Sequence, residues 1–287
     1  MKQISSHFRE IKPFHIMVSY NELYADSLEN TYDAHIHEEC EIYINVSGDV
    51  SFVVENHIYP IKPGDIIITR PFEYHHCIYH SNELHKHFWI LFSSLGNEYL
   101  FDAFYKRNAG EANHLALSSQ GTDALISLCH KMTEEGQTES KKYYNFFKLI
   151  HFLQHADIAA GTEGMNASDI AVAIRYISQH FSESVSVSDI AKAAKVSVNT
   201  LERHFKQRLN TSPSAYIKKK RLANATRLLA EGCTVAEASE QSGFSDYSNF
   251  ISLFKKTYGM TPLKYKKNLK NIAPDELPLR YFQQKSN

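Results

Sequence analysis

The first side chains with chemical potential lie at the start of a β-rich stretch. His35 and His37 are two residues apart, and Glu41 and Tyr43 follow with the same parity. Because alternate residues of a strand project from one face, we expect these four side chains to share one side of a sheet. Imidazole and carboxylate groups placed together can hold a transition-metal ion, or they can hydrogen-bond a small polar molecule without a metal. The pattern allows both interpretations.

The order of these residues resembles a known metal-binding pattern. The stretch HIHEECEIYINVSG, residues 35–48, has the form HxHxxxE followed by glycine and resembles the first motif of the cupin proteins. The stretches PGD, residues 63–65, and PFEYHH, residues 71–76, resemble the second motif imperfectly. Cupin enzymes hold a metal with imidazoles and a carboxylate. The resemblance therefore implies a ligand set of His35, His37, Glu41 and either His75 or His76.

The elements that must position these side chains are short strands. Between Tyr32 and Phe92 the runs EIYINV, VSFVVE and IIIT are separated by segments rich in turn-forming residues. This pattern predicts antiparallel strands of a small barrel or sandwich. From Asp123 to Ile158 apolar residues recur at spacings of three and four, which predicts two helices divided by the polar segment TESKK.

Charge is divided unequally along the chain. The formal net charge is −1, but residues 168–270 contain 17 Lys and Arg against 8 Asp and Glu, whereas residues 1–167 contain 12 against 22. A basic C-terminal half suggests a polyanionic partner, although basic residues that merely solvate helices give the same count.

Cysteine spacing and hydropathy exclude other classes of protein. The four cysteines lie far apart without a CxxC pair, which argues against a disulfide framework or a structural zinc site and favours reduced, buried thiols. No apolar run approaches the eighteen or so residues of a membrane span, and the N-terminus lacks the apolar core of a signal peptide. We expect a cytoplasmic protein that does not contact a membrane.

The basic half of the chain repeats itself at an offset of about 49 residues. HFKQRLNTSPSAYIKK, residues 204–219, aligns with LFKKTYGMTPLKYKKN, residues 253–268. In each copy a short helix, a tight turn and a second helix are predicted, which is the helix-turn-helix arrangement. Ser-Pro at 212–213 and Thr-Pro at 261–262 predict the start of the helix that closes each copy.

The predicted helices begin at capping residues. A hydroxyl residue followed three residues later by Asp189 or Glu237 predicts a capping box at the first helix of each copy. In each copy a serine precedes the second helix and is predicted to cap it. The predicted caps are Ser186 and Ser197 in the first copy and Thr234 and Ser245 in the second.

This repeat resembles the DNA-binding domain of the AraC/XylS family of transcription regulators. The resemblance covers about residues 170–267, and the stretch GFSDYSNFISLFKKTYGMTPLKY, residues 243–265, is close to the family signature. Two positions depart from the pattern: Lys195 stands where glycine is common, and Ala238-Ser239 where an aliphatic residue and alanine are typical. The resemblance implies a two-domain α+β protein, with an N-terminal antiparallel cupin-like barrel followed by helices and a C-terminal all-α domain with tandem helix-turn-helix units.

The family's mode of binding implies that the second helix of each unit enters the major groove, with a rigid connector that spaces the units by roughly 34 Å. Arg203 can donate to guanine, Glu202 can accept from cytosine, and Asn249 can read adenine. The predicted DNA-contacting residues are Asn199, Thr200, Glu202, Arg203 and Lys206 in the first unit, and Tyr247, Ser248, Asn249, Ser252 and Lys255 in the second.

Other residues of these helices are expected to pack or to meet the DNA backbone. Val198 and Leu201, and likewise Phe250 and Phe254, should pack inward. The remaining basic residues should meet phosphates or solvent. They are Lys218, Lys219, Lys220, Arg221, Lys256, Lys266 and Lys267.

The patterns, together with the family resemblance, imply the following division of the chain. Residues 1–160 form the sensor and dimerisation domain (barrel about 14–110, helices about 120–158), 161–169 a small and polar linker, 170–270 the DNA-binding domain and 271–287 a C-terminal tail.

The resemblance implies a sequence-specific regulator of genes for carbohydrate or related small-molecule metabolism. Its effector, a small molecule such as a sugar, would bind His35, His37, Glu41, Tyr43 and His75. Its partners would be double-stranded operator DNA, RNA polymerase and a second copy of the chain. No cofactor is expected; the alternative is a divalent metal at His35, His37, Glu41 and His75.

Two other functions fit the same residues. One is a metal-dependent cupin enzyme fused to a DNA-binding domain, and the other is an architectural DNA-binding protein without a sensor role.

Overall fold

The chain folds into two compact units. The computed structural model describes residues 2–11, 16–24, 37, 39–55, 57–94, 97–158, 168–209 and 211–271. Contacts group Met1–Ala223 into the first unit and Asn224–Asn287 into the second. The first helix-turn-helix copy therefore belongs to the same unit as the strands. Most of the predicted linker and of the predicted tail lies outside the described residues.

Among the described residues of the first unit, ten strands form two antiparallel sheets. They are β1 (Lys2–Ile11), β2 (Ile16–Tyr24), β3 (Cys40–Ser47), β4 (Val50–Val54), β5 (His57–Ile61), β6 (Ile66–Thr69), β7 (His75–Tyr79), β8 (Leu84–Phe92), β9 (His114–Ala116) and β10 (Asp157–Ile158). The large sheet has the order β1-β2-β8-β3-β6-β9-β10, and the small sheet has the order β5-β4-β7. Strands β1, β9 and β10 lie outside the range from 14 to 110 that was predicted for the barrel.

The two sheets face each other across a shared apolar layer, the sandwich interior. It contains Tyr43 and Ile67 from the large sheet and Phe52 and Cys77 from the small sheet, all at most 4% exposed. Alternation along each strand sends one set of side chains into this interior and the other set outward. The predicted shared parity of Glu41 and Tyr43 is confirmed, because both are buried on the inner side of β3.

Helices cover the outer face of the large sheet. They are α1 (Asp102–Tyr105), α2 (Ser119–Thr133) and α3 (Glu139–Gln154). Ile42 and Ile90 of the sheet pack with Leu125 of α2 and Phe146 of α3, and each buried side chain of this kind stabilises the fold by about 1.5 to 3 kcal/mol. The two predicted helices are confirmed. The break between them comprises residues 134–138. Of the predicted segment TESKK only Thr138 lies in the break, and its hydroxyl caps α3.

The first helix-turn-helix copy follows the sheets. Its helices are α4 (Asp169–His180), α5 (Val187–Ala193), α6 (Val198–Leu209) and α7 (Pro213–Ala230). The predicted capping box of Ser186 and Asp189 is present, and Ser197 Oγ accepts from the Thr200 amide at 3.1 Å. Lys195, in the turn between α5 and α6, has φ +55°. This left-handed conformation explains why relatives of this pattern favour glycine here.

The outer face of the small sheet packs against this first copy. Val53, Ile58 and Ile78 from the sheet join Ile174 of α4 and Tyr216 of α7 in one buried cluster. The small sheet thus has the sandwich interior on one side and helix-turn-helix residues on the other.

The second unit contains α8 (Val235–Gln241), α9 (Tyr247–Tyr258) and α10 (Pro262–Asn271). The predicted capping box of Thr234 and Glu237 is present. The prediction that Ser245 caps α9 is wrong: the Asp246 carboxylate accepts from the Asn249 amide at 2.9 Å. The second copy has one more residue than the first, so its helix begins one position later than the serine suggests.

The four cysteines differ in burial. Cys40, Cys77 and Cys129 are buried free thiols, and Cys233 is a half-buried one. Within the described part of the chain, no helix combines the length and the apolarity needed to cross a membrane.

Candidate nucleic-acid interface and internal site

The exposed face of α6 carries the first predicted DNA-contacting set. Leu201, Phe205 and Leu209 recur every four residues and are buried, so the opposite face is presented to solvent. Asn199, Glu202, Arg203 and Lys206 are exposed there.

Two residues of the first turn of α6 differ from the predictions. Val198, expected to pack inward, is 36% exposed, because it precedes the first buried position of the helix. Thr200 is only half-buried, and its hydroxyl lies 2.9 Å from Ser197 Oγ. Thr200 therefore takes part in the helix cap as well as lying beside the exposed face.

The exposed face of α9 carries the second predicted set. Phe250 and Phe254 are fully buried, as predicted. Tyr247 is 49% exposed, which leaves a large aromatic ring on the surface of a helix whose core is already filled. The other exposed members are Ser248, Asn249, Ser252 and Lys255.

Three basic side chains expected at phosphates or in solvent have partners within the protein, and for Lys220, which is buried, the prediction is wrong. Lys220 is 5% exposed and forms an ion pair with Glu55. Arg221 donates to two backbone carbonyls just beyond α4, at 2.6 and 2.8 Å. Lys266 donates to two carbonyls just beyond α7, at 2.8 and 2.7 Å. The last carbonyls of a helix lack partners within it, and a cation there satisfies them.

Four of the other basic residues predicted to meet DNA are exposed. They are Lys218, Lys255, Lys256 and Lys267. Lys219 is half-buried.

Three of the predicted effector or metal residues meet in the sandwich interior. Glu41 extends from β3, His75 from β7, and His37 lies just before β3. The Nε2 atoms of His37 and His75 lie 3.0 and 3.2 Å from the same carboxylate oxygen of Glu41, Oε2. Glu41 and His75 are at most 3% exposed. Residues 34 positions apart are therefore brought into contact by the facing of the two sheets.

The backbone orients both imidazoles. Nδ1 of His37 lies 3.0 Å from the Glu39 carbonyl oxygen, and Nδ1 of His75 lies 2.7 Å from that of Glu73. His35 lies outside the described residues. His76, the alternative to His75, projects from the opposite face of β7 and has its ring 6.2 Å from that of Tyr216.

The electrostatics of this cluster favour a buried carboxylate. Burial by itself raises the pKa of Glu41, but attraction to His75 and His37 is stronger and holds the pKa well below its ordinary value. Burial lowers the pKa of His75, and the Glu41 carboxylate more than reverses this, so the pKa lies above its ordinary value. Each group stabilises the charged form of the other.

An aromatic and polar wall continues from this cluster. Tyr43 stacks on His87 of β8 at 4.7 Å between ring centres and lies 5.1 Å from Phe52, which stacks in turn on His75 at 6.1 Å. His87 is 4% exposed, and burial lowers its pKa to about 3, so its ring is neutral. Its Nδ1 has no hydrogen-bond partner among the described residues.

The motifs singled out in the sequence do not include His87. The signal that indicates it is the spacing of His85 and His87, which repeats the alternation of His35 and His37. The pairing of His87 with Asn45 across β8 and β3 then sets its position relative to Tyr43.

Glu55, at the turn after β4, joins the small sheet to α7. Its amide donates to the Tyr74 carbonyl at 2.7 Å, and its Oε1 accepts from the Tyr74 amide at 2.8 Å. Its Oε2 pairs with Lys220 Nζ, which lies 4.8 Å from the centre of the Tyr74 ring. Glu55 has φ +52°, a left-handed conformation that these contacts hold in place. We call Glu55, Tyr74 and Lys220 the clasp.

Strand β7 and the residue before it contribute to both sides of the small sheet. His75 and Cys77 face the sandwich interior, whereas Tyr74 and His76 face the first helix-turn-helix copy. The ring of Tyr74 meets that of Tyr216 edge-on at 5.6 Å. The internal cluster and the clasp are therefore consecutive along the chain.

Comparison with known proteins matches both halves of the chain. A family model described as an AraC-like ligand binding domain matches residues 23–148, and one described as a helix-turn-helix domain matches residues 190–268. The regulator YdeC of Bacillus subtilis is 24% identical over 250 residues, 81% of this chain and 85% of YdeC. The transcriptional activator RhaS of Escherichia coli is 26% identical over 153 residues, 52% of this chain and 54% of RhaS. The chain thus spans about half the length of RhaS.

Solved structures that this chain matches include ToxT from Vibrio cholerae with a bound unsaturated fatty acid. Its TM-score is 0.39 at 14% identity, over 92% of this chain and 99% of ToxT. A regulator with an AraC-type DNA-binding domain from Chromobacterium violaceum has a TM-score of 0.35 at 29% identity, over 37% of this chain and 95% of that one.

The two family matches occur in the same order as the sheets and the paired helix-turn-helix copies. The relatives are regulators, so the enzyme alternative does not apply. The chain belongs to the AraC family of DNA-binding transcription regulators, with an N-terminal ligand-binding domain and a C-terminal helix-turn-helix domain.

Proposed function

We propose that this regulator senses a small polar molecule, a carbohydrate or a chemically related compound, in the sandwich interior. Binding there changes its occupancy of an operator. The observation that carries the proposal is the position of β7, whose inner residue His75 belongs to the internal cluster and whose flanking residue Tyr74 belongs to the clasp. A ligand that moves β7 therefore acts on α7 directly.

The chemistry of the interior supports a polar ligand with an apolar face. Tyr43 and Phe52 supply aromatic surface, and Glu41 and His75 supply buried polar groups. The Nδ1 atom of His87 needs a hydrogen-bond partner that the described residues do not supply. Sugars combine hydroxyl groups with an apolar ring face and suit such a wall, which fits the usual composition of a ligand site.

The clasp also connects the small sheet to the helices that are predicted to contact DNA. Lys220 lies on α7, the helix that starts directly after α6, and α6 carries the exposed DNA-contacting set. A ligand changes DNA binding only if its affinity differs between two arrangements of the protein. The buried ion pair provides a contact that can exist in one arrangement and not in the other.

The proposal includes further partners. These are double-stranded operator DNA, RNA polymerase as the target of activation, and a second copy of the chain that docks through α2 and α3, where Tyr144 is 59% exposed. Light scattering over a range of protein concentrations tests the dimer, and a concentration-independent monomer mass contradicts it.

The test of the function begins with the operator. The full-length protein is incubated with fragmented genomic DNA from its source, bound fragments are sequenced, and the strongest is footprinted with a panel of pentoses, hexoses and uronic acids. We expect one class of compound to change the footprint, and we expect His87→Phe to lose that change while it still binds the operator.

A matched control uses His80, a surface histidine whose Nε2 lies 2.8 Å from Ser51 Oγ. His80→Phe changes an exposed ring and should respond as the unmodified protein does. If the operator is bound but no compound in the panel alters the footprint, the carbohydrate-sensing role is refuted and the architectural alternative is favoured.

A further inference from the structure

We propose that His37, Glu41 and His75 bind a divalent transition-metal ion in the sandwich interior. The first observation is the direction of the two imidazoles. In each ring Nδ1 faces a backbone carbonyl oxygen, at 3.0 Å for His37 and 2.7 Å for His75. A carbonyl oxygen only accepts hydrogen bonds, so each Nδ1 carries a proton. In a neutral ring the lone pair is then at Nε2.

The second observation is what the Nε2 atoms face. Both point at one oxygen of the Glu41 carboxylate, at 3.0 and 3.2 Å, and a carboxylate oxygen also offers only lone pairs. When both rings are neutral, three lone-pair donors converge here, and Glu41 and His75 among them are buried; a cation then removes the repulsion between the lone pairs. A metal ion does this with the imidazoles neutral, whereas protons alone would require two charged imidazoles beside one carboxylate.

Distances within the cluster suit a metal ion. The three donor atoms lie within 4.8 Å of one another. An ion bound at about 2.0 to 2.2 Å holds neighbouring donors roughly 3 to 3.5 Å apart. The two nitrogen-to-oxygen distances, 3.0 and 3.2 Å, fall in that range, and both imidazoles must turn from the carboxylate oxygen towards the ion to close the site.

The donor types select the class of ion. Two imidazoles and a carboxylate suit zinc, iron(II), manganese(II), cobalt(II) or nickel(II), whereas magnesium and calcium prefer oxygen ligands throughout. The carbonyls that orient the imidazoles have the role that outer groups take in metal sites. Glu73, which supplies one of them, is itself fixed by a two-pronged ion pair with Arg107 at 2.7 and 2.6 Å.

The ion also gives the effector a place to bind. Three protein ligands leave at least one coordination position of a transition metal for another donor. A hydroxyl or carboxylate oxygen of the effector can occupy it, with the aromatic wall of Phe52 and Tyr43 nearby. This last step rests on the proposed function, whereas binding of the ion does not.

The experiment uses full-length protein freed of metal with a chelator and then titrated with Co²⁺ and, separately, Zn²⁺. We expect one Co²⁺ per chain, visible absorption bands from the bound ion, and their loss when Zn²⁺ displaces it. Glu41→Gln and His75→Gln should each weaken Co²⁺ binding by at least about tenfold. His80→Gln, at an exposed histidine, is the matched control and should bind as the unmodified protein does.

X-ray absorption of the Zn²⁺-loaded, unmodified protein provides a measurement that needs no variant to fold. Two imidazole nitrogens with oxygen donors are expected in the first coordination sphere. Absence of stoichiometric binding, sulfur ligands, or equal affinity in both Gln variants and the control overturns the proposal. Metal binding without any effector-dependent footprint refutes the proposed function alone, and an effector response in protein that binds no metal refutes this inference alone.

Discussion

Replacement of Lys220 by methionine removes the charge of the clasp and keeps the length of the side chain. The Lys220 side chain is 7% exposed and that of Glu55 is 20% exposed. Loss of one partner of a buried pair costs about 3 to 5 kcal/mol. Water reaches Glu55 in part and Glu55 keeps its bond from the Tyr74 amide, which lowers that cost. Loss of the cation above the Tyr74 ring adds about 0.5 to 2 kcal/mol. We expect Lys220→Met to lower the free energy of unfolding by about 2 to 4 kcal/mol.

Urea denaturation of the full-length protein, followed by the fluorescence of Trp89, measures this change. Trp89 is the single tryptophan of the chain and lies on β8, so it reports the unfolding of the large sheet. Helical circular dichroism followed in parallel shows whether the helices unfold together with it. Amide hydrogen exchange should place the loss of protection at the small sheet and at α4 and α7.

Two further variants make the reasoning refutable. Lys218→Met, an exposed lysine on the same helix, should change the stability by less than about 0.5 kcal/mol. Glu55→Gln combined with Lys220→Met should cost less than the sum of the single changes, because no uncompensated buried charge remains. If Lys220→Met is no more destabilising than Lys218→Met, or if the two clasp changes are simply additive, the buried ion pair does not hold the first helix-turn-helix copy.

Three other outcomes are expected. Arg203→Ala should weaken operator binding roughly 5- to 150-fold and leave weak non-specific binding in place, and unchanged affinity in a gel-shift titration contradicts its base-reading role. Phe250→Ala should cost about 3 to 5 kcal/mol and Tyr247→Ala less than about 0.5 kcal/mol in urea denaturation followed by circular dichroism; similar costs would show that the buried face of α9 is wrongly assigned. Burial lowers the pKa of His87 from 6.5 to about 3, so the unfolded chain takes up a proton there first. Stability should therefore fall as the pH drops from about 6.5 towards 3, by at most about 1.4 kcal/mol per pH unit from this group, and His87→Phe should lose that part of the pH dependence.

Much of the helix-turn-helix domain was predictable because its determinants are local. A cap depends on a hydroxyl and an amide three residues apart, so the boxes at Ser186 and Thr234 follow from spacing alone. Local rules locate the start of a helix only to within about one residue. Ser245 and Asp246 are both good caps, and only the backbone decides that Asp246 is the one used.

The candidate site was predictable in its members on β3 but not in its wall. Parity along one strand places Glu41 and Tyr43 on one face. Parity does not predict which strand of another sheet lies opposite. It therefore could not decide whether His75 or His76 contacts Glu41, or predict that His87 lies in the interior. Those choices depend on the register of strand pairs, which is set over the whole sandwich.

Residue type and near-neighbour spacing were enough to establish a basic tandem helix-turn-helix domain behind a β-rich domain, because periodicity, caps and charge act within a few residues. The environment of Lys220 could be determined only from the tertiary structure. In the sequence it is one of four consecutive basic residues, Lys218 to Arg221. In the structure it is buried against Glu55, 165 positions away. A contact over that separation exists only because the small sheet and α7 pack together, and this packing turns a residue expected at DNA into one that joins the ligand-binding half to the DNA-binding half.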